Sequence, residues 1–429
     1  MKSELFQKDY DLRVLHVLCQ RPGFTGSGIF LKQLVLEGEK DSVIQNVVIG
    51  TSEREADIAS ISLPESSIHP VLFETRELPI AVTGMSDVMP YPSSRFSLFD
   101  HTLIQLYINA FRRILIEAVK VFNPSILWTH HLWVVSALAR ELFPNLPQIT
   151  FCHGSEFRQI VNAPQMSSYV IKQCNQIDKV LALSSNQASQ IKEIYSIDPD
   201  RIEITGGAIR NDIFKPGQFS QYANEPVRII FVGKLSEAKG VPWLLEAFDL
   251  LKQTTATKVA LELVGDGSGE ETKKIQQMAK RLNVKVHGVV SQEKLAELLQ
   301  SSHIFVLPSF YEGLGLVVLE ALACGCRVVV SNLPSLLSTL PQEAFTSGIV
   351  RTVPLPNLSE DYRPKYDELT KFTIDLAKVL NQQVDNVLND NWSMMQLANS
   401  FVKMYTWEEL YKRIKKISLD LLIKKHDRY

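Results

Sequence analysis

The most constraining feature of this chain is an alternation. Short runs of Val, Ile and Leu are each followed by a stretch with helical spacing. In the second half the runs are VRIIFVG at 227–233, VALELVG at 259–265, VKVHG at 284–288, HIFVLPS at 303–309 and CRVVVSN at 326–332. Strands apolar on both faces belong to parallel sheets, and parallel neighbours need a crossover that a helix supplies most compactly. The first half repeats the pattern with LRVLHVLC at 12–19, VIQNVVIG at 43–50, a strand running into His130 and His131, ITFCHG at 149–154 and KVLALSS at 179–185. Helices are expected near 101–121, 241–253 and 269–282, and after Ser184 or Ser185, either of which can cap the helix that follows. The fold class that follows is α/β, with two doubly wound Rossmann-like domains facing across a cleft at the carboxyl ends of their strands.

Residues 201–226 lose both periodicities and gather Gly, Asn and Pro, so the chain divides there. The expected organisation is an N-terminal domain at 1–205, a crossing at 206–225, a second domain at 226–400 and a terminal helix at 401–429 that packs back toward the first domain. With 429 residues, 45% apolar and 21% charged, such domains can bury their cores without staples. The balance of 45 Lys and Arg against 47 Asp and Glu argues against a globally basic nucleic-acid binder. Five cysteines form no CxxC pair, which suits buried thiols in a reducing compartment. The chain opens without an apolar signal segment, and the apolar run 313–330 is interrupted by Glu320 and Arg327, so a cytoplasmic protein without a spanning helix is expected. The tail 411–429 carries seven Lys or Arg against two Asp, with Ile414, Ile417, Leu421 and Leu422 at helical spacing. It is read as packing across a domain or as a peripheral contact with an anionic membrane face.

Chemistry concentrates in PSFYEGLGLVVLEALACGCRVVVSN at 308–332. Glu312 stands at a helix entrance and Glu320 follows about two turns later. Acids in so apolar a stretch need partners, which sugar and ribose hydroxyls can supply. The backbone N–H groups of Gly313, Leu314, Gly315 and Leu316 can hold a phosphate. Lys234 and Lys239, after Gly233, can neutralise a diphosphate. No Asp-x-Asp stands in a cleft-like strand-to-turn context and no His and Cys ladder has metal spacing, so neither metal nor cofactor is expected. The loop GMSDVMPYPSSRF at 84–96 offers Ser86, Asp87, Tyr91 and Arg95 for sugar binding, or is a proline-braced rim. His130 and His131 either border the site or satisfy a local turn.

The pair Glu312-x7-Glu320 within EGLGLVVLEALACG resembles the retaining family-4 glycosyltransferases of the two-domain B-type fold. The resemblance extends to ITGGAIRNDIFKP at 204–216, FVGKLSEAKG at 231–240, LVGDGSG at 263–269, VHGVV at 286–290 and YTWEELYKR at 405–413. It implies that Glu312 contacts a donor sugar and Glu320 the ribose, with Lys234 and Lys239 on the diphosphate. Members usually carry Arg where this chain has Lys234. GFTGSGIF at 23–30 is similar to the family's N-terminal glycine loop, implying close backbone approach at Gly26 and Gly28. His153 in FCHGSEF matches the histidine near the transferring sugar, while Glu156 replaces the Asp that many members carry.

The expected function is a retaining transfer of a hexose from a nucleoside-diphosphate sugar to a sugar-containing or lipid-linked acceptor, with UDP, GDP and ADP donors left open. Two rival functions are open to a chain of this kind. A related epimerase or phosphorylase-like enzyme lacks a pyridoxal signature here. A catalytically silent sugar or polyanion-binding scaffold, attached to a membrane-associated assembly through 411–429, would bind without turnover.

Overall fold

The computed structural model describes residues 12–86, 89–217, 226–338, 340–358, 364–389 and 393–426, the side chains of 393–396 and 426 excepted. Asp87, the crossing at 218–225 and positions 359–363 lie outside the described residues.

Two parallel sheets organise the chain. The first contains β1 (Arg13–Leu18), β2 (Ile44–Thr51), β3 (Ile68–Leu72), β4 (Ile126–His130), β5 (Gln148–Phe151), β6 (Lys179–Ala182) and β7 (Ile202–Ile204), in the order β3-β2-β1-β4-β5-β6-β7. The second contains β8 (Val227–Val232), β9 (Val259–Val264), β10 (Lys285–Val286), β11 (Ile304–Leu307), β12 (Arg327–Ser331) and β13 (Val350–Val353), in the order β10-β9-β8-β11-β12-β13. Every pairing within them is parallel. Both sheets reverse their winding once, between β1 and β4 and between β8 and β11, and ligands of doubly wound sheets bind at such reversals.

The central strands are apolar for the reason anticipated: all residues of β4, β11 and β12 are buried. Full burial of each Val or Ile there contributes roughly 1.5–3 kcal/mol. The edge strands β3, β7 and β13 were not anticipated. IHPVL contains a proline, and IEI and VRTV are short and carry charge, so none reads as a core strand. In particular, the stretch read as aperiodic from residue 201 begins with β7, which pairs with β6, while the crossing expected at 206–225 starts after it.

The backbone forms two compact units, one comprising Met1–Gly206 with Leu410–Tyr429 and the other Gly207–Glu409. These bounds differ from those read in the sequence for a local reason. Ile209 donates to Tyr405 O at 2.8 Å and bridges to Thr406, and Phe214 is buried in the second core, so both ends of that unit are tied to each other.

From Leu410 onward the helix Trp407–His426 lies in the first unit. Its Ile414 and Ser418 are buried, Ser418 Oγ accepts from Trp128 Nε1 at 3.1 Å, and the Tyr411 ring lies 6.1 Å from Trp128. Several of its cations are already engaged: Lys415 with Asp41 at 2.7 Å, Lys425 with Asp178 at 3.0 Å, and Arg413 with Thr205 O at 3.0 Å. Among the described residues no helix is long and apolar enough to cross a membrane. All five cysteines are free and buried.

The Trp128–Ser418 bond generates a prediction. Ser418→Ala strands a buried indole N–H, which costs about 1–3 kcal/mol. The urea midpoint should fall accordingly, and an unchanged midpoint would show that the bond does not help hold the helix.

Candidate functional site

In the second unit, the loops leaving β8 and β11 carry most of the residues singled out from sequence. After β8 the chain reaches Gly233, whose N–H donates to Val264 O at 2.9 Å. Gly265 sits beneath it with φ of +125°, and a Cβ there would lie 2.0 Å from Gly233 O. Only glycine permits so close a pass of two loops. A short 3-10 turn, Glu237–Lys239, then ends at Gly240 with φ of +71°, where a Cβ would meet Pro308 O at 2.1 Å. The turn is therefore pressed against the loop after β11, and Phe310 N–H donates to Ala238 O at 3.0 Å.

This docking brings Lys239 to Glu312. Lys239 Nζ donates to Glu312 Oε1 at 2.7 Å, Ser309 Oγ donates to the same oxygen at 2.7 Å, and Ser335 Oγ donates to Glu312 O at 2.8 Å. The side chains are 27% and 12% exposed, so the pair is largely buried yet still open to solvent on the lysine side. Ser309 and Ser335 were missed in the sequence. The Ser-x-x-Glu spacing of Ser309 and Glu312 was the available signal, since a short hydroxyl three residues before a carboxylate often shares its local bonding. Lys234 is exposed, and among the described residues no hydrogen bond or ion pair joins it to this pair.

Gly313 is exposed with open space where a Cβ would be, and Gly315, at φ of +63°, starts the helix Leu316–Ala323. No side chain caps that helix and no acid lies in its first turn, so its N-terminal amides favour an anion. Leu314 and Leu316 place methyl groups beside Gly207, where a Cβ would meet each of them at 2.7 Å. Within the helix, Glu320 is half-buried, and burial pushes its carboxyl up to about 7. It has no hydrogen-bond partner among the described residues, and a carboxyl in that state gains from hydroxyl donors.

In the first unit, the glycine loop follows β1. Thr25 Oγ1 accepts from Gly28 N–H at 3.2 Å and caps the helix Gly26–Lys40. A Cβ at Gly28 would meet Pro22 O at 2.3 Å, so this glycine is required by the loop's own fold, whereas Gly26 faces open space. Arg21, 3% exposed, bonds Asp57 and Glu53 at 2.9 Å each and lies under the rings of Phe24 and Tyr91. Tyr91 is thus a buried brace and not an open sugar contact, Ser86 is half-buried, and Arg95 and Arg158 are exposed.

His153 follows β5 and is half-buried. Its Nε2 lies 3.1 Å from His130 Nδ1 and its ring 5.3 Å from Phe30 of the helix Gly26–Lys40. Glu156, fully buried, accepts from His153 N–H at 3.0 Å and Leu132 N–H at 3.3 Å, and lies 3.5 Å from His131 Nδ1. Burial would raise its carboxyl, but the His131 hydrogen bond and charge, with His153 behind them, bring it down to about 2. Burial, reinforced by His131, lowers His153 to about 3. The adjacent His130 and His131 therefore both join the His153 cluster, with Glu156 as its brace. Among the described residues no group of three or more His, Cys, Asp or Glu is placed to hold a metal ion.

Comparison with known proteins identifies this arrangement. The family described as "Glycosyl transferases group 1" matches residues 216–352, and "Glycosyltransferase Family 4" matches 81–209. Together they span more than half of the chain, which belongs to these family-4, group-1 glycosyltransferases and has their B-type fold. D-inositol 3-phosphate glycosyltransferase 2 of Catenulispora acidiphila is 27% identical over 250 residues, 54% of this chain and 57% of that protein. O-antigen chain mannosyltransferase B of Escherichia coli is 27% identical over 243 residues, 53% of this chain and 57% of that protein. The chain thus spans little more than half the length of the curated relatives it matches. Among solved structures, HepE of Anabaena in complex with UDP superposes with a TM-score of 0.63 at 15% identity, covering 95% of this chain and 99% of that one.

The Glu156 bonds generate a second prediction. Glu156→Ala leaves two buried amides without acceptors and costs about 2–4 kcal/mol. Because the folded carboxyl lies below its unfolded range, this contribution is complete above about pH 4.5 and fades as the pH falls toward 2. Denaturant titrations at pH 7 and pH 3 should show the variant's deficit shrinking at the lower pH; an equal deficit at both would contradict the assigned bonding.

Proposed function

We infer that this glycosyltransferase uses a nucleoside-diphosphate sugar as donor, bound by the second unit, and transfers a hexose with retention to a sugar-containing or lipid-linked acceptor recognised through the first. The observation that carries the reading is the Lys239–Glu312 pair beside the uncapped start of the helix Leu316–Ala323. An arriving diphosphate meets the free amides at 313–316 and competes for Lys239. Once Lys239 turns to the phosphates, Glu312 Oε1 is released to accept from sugar hydroxyls. Lys234, exposed on the same loop, adds a second cation. Glu320 gives ribose hydroxyls an acceptor that no described residue pairs.

The chemistry follows from where charge develops. As the bond from the anomeric carbon to the diphosphate oxygen breaks, the leaving group gains negative charge that lysine and amide donors stabilise. Attack by an acceptor hydroxyl on the face the diphosphate leaves, through an oxocarbenium-like state, gives retention, and the acceptor proton passes to the departing phosphate. Glu312 and Glu320 lie along one loop and helix and do not flank a bond as hydrolytic acid and base carboxyls do. The UDP in the HepE complex, and the inositol 3-phosphate and O-antigen chain in the names of the two relatives, support a nucleotide donor and a hydroxyl-bearing acceptor.

Two outcomes check this reading. Nucleotide release from a panel of UDP, GDP and ADP sugars, with pooled glycan and glycolipid acceptors, should fall about 10²–10³-fold in Glu312→Ala and in Lys239→Ala. Unchanged turnover in both variants would reject the site. Affinity for the sugar nucleotide should rise with pH through about 7, because hydroxyls bond the ionised Glu320 more strongly than its acid form. Calorimetry with Glu320→Gln should flatten that dependence; a pH profile that persists in the variant would remove Glu320 from the ribose site.

A further inference from the structure

The first unit contains buried histidines whose proton positions are dictated by their surroundings. His16 Nε2 lies 2.9 Å from Gln45 Oε1, and Gln45 Nε2 donates to Val35 O at 3.0 Å, which fixes the amide's orientation. His16 therefore donates from Nε2, and its Nδ1 is buried without a partner. His131 Nδ1 faces Glu156 Oε2 at 3.5 Å and Ser155 Oγ at 3.4 Å, while its Nε2 is buried without a partner. In His16 the nitrogen with an acceptor holds the proton, and the nitrogen without one can remain a bare lone pair. Orphaned buried N–H groups are rare in folded proteins, which favours that choice.

The same reasoning applies to His130. Its Nδ1 lies 3.1 Å from His153 Nε2, and its own Nε2 is buried without a partner. The ring is 2% exposed, packed at 5.0 Å against Phe151 and edge-on at 6.1 Å to Phe30. Burial, then the neighbouring His153, His16 and His131, hold His130 neutral. Burial with His131 does the same for His153, so one of the two rings must donate to the other.

Resting on the transferase reading above, we propose that His130 is a positioning residue that donates its Nδ1–H to His153 Nε2, committing His153 to a neutral tautomer with its proton on Nδ1. In that state His153 cannot act as a general base through Nε2, whose lone pair is occupied. It offers instead a fixed N–H donor to a substrate oxygen, and no described residue accepts from His153 Nδ1. Glu156 completes the arrangement by holding the His153 backbone amide. His16, His131 and Glu156 are the other titratable groups around the pair.

Long-range ¹H–¹⁵N correlation spectra of the full chain labelled at histidine test this directly, with His153 assigned by its loss in His153→Gln. The expected result is a pyrrole-type Nδ1 and a pyridine-type Nε2 at His153, unchanged from pH 5.5 to pH 8. His130→Phe should release the tautomer toward Nε2–H and lower kcat/KM about tenfold with sugar-nucleotide affinity intact. His130→Asn, whose amide N–H can take the place of Nδ1–H, should restore both. Protonated Nε2 at His153 in the wild type, or identical spectra for the Phe and Asn variants, would overturn the proposal. The tautomer is read without turnover, so absence of transferase activity would strike the functional reading alone.

Discussion

The ion pair between Lys239 and Glu312 concentrates the constraints of the second unit. A largely buried ion pair is weak as a source of net stability, because the cost of taking both charges out of water offsets most of their attraction. Yet several features converge to form it: the left-handed turn at Gly240 pressed on Pro308, the Phe310 amide on Ala238 O, and Ser309 and Ser335 fixing Glu312 from either side. Stability does not account for so many restraints on one carboxylate. Holding an acid and a base in register beside free helix amides makes sense if a ligand with both phosphates and hydroxyls is to replace their mutual bond.

The first unit is organised differently. Its polar groups are turned inward, where low dielectric makes each bond consequential and each omission costly. Arg21 is spent on Asp57 and Glu53, Gly28 on its own loop, and Glu156 on two backbone amides. The strand ends of β4 and β5 are thereby fixed relative to each other, and His153 is left as their half-buried member.

Much of this was legible in the sequence. The central strands announced themselves because parallel sheets demand runs apolar on both faces, and the spaced acids stood out because an apolar stretch does not tolerate them without cause. The edges were obscured: Pro70 in β3 and the charges of β7 and β13 are permitted where one side of a strand is unpaired. Partner choice was obscured as well. The charge of Lys234 and Lys239 is equally plain in the sequence, but only the Gly240 turn directs Lys239 to Glu312. Likewise Tyr91 reads as a sugar-binding aromatic until its ring is found over Arg21, and His130 and His131 read as bordering the site or satisfying a local turn until both are found against His153.

The most direct test of the central claim is the Lys239 Nζ to Glu312 Oε1 distance in a crystal structure of the protein with a bound nucleoside-diphosphate sugar. That distance, 2.7 Å in the structure described above, should lengthen beyond hydrogen-bond range as Lys239 turns to the diphosphate and Glu312 to the sugar hydroxyls. A donor bound elsewhere, with the pair intact, would contradict it.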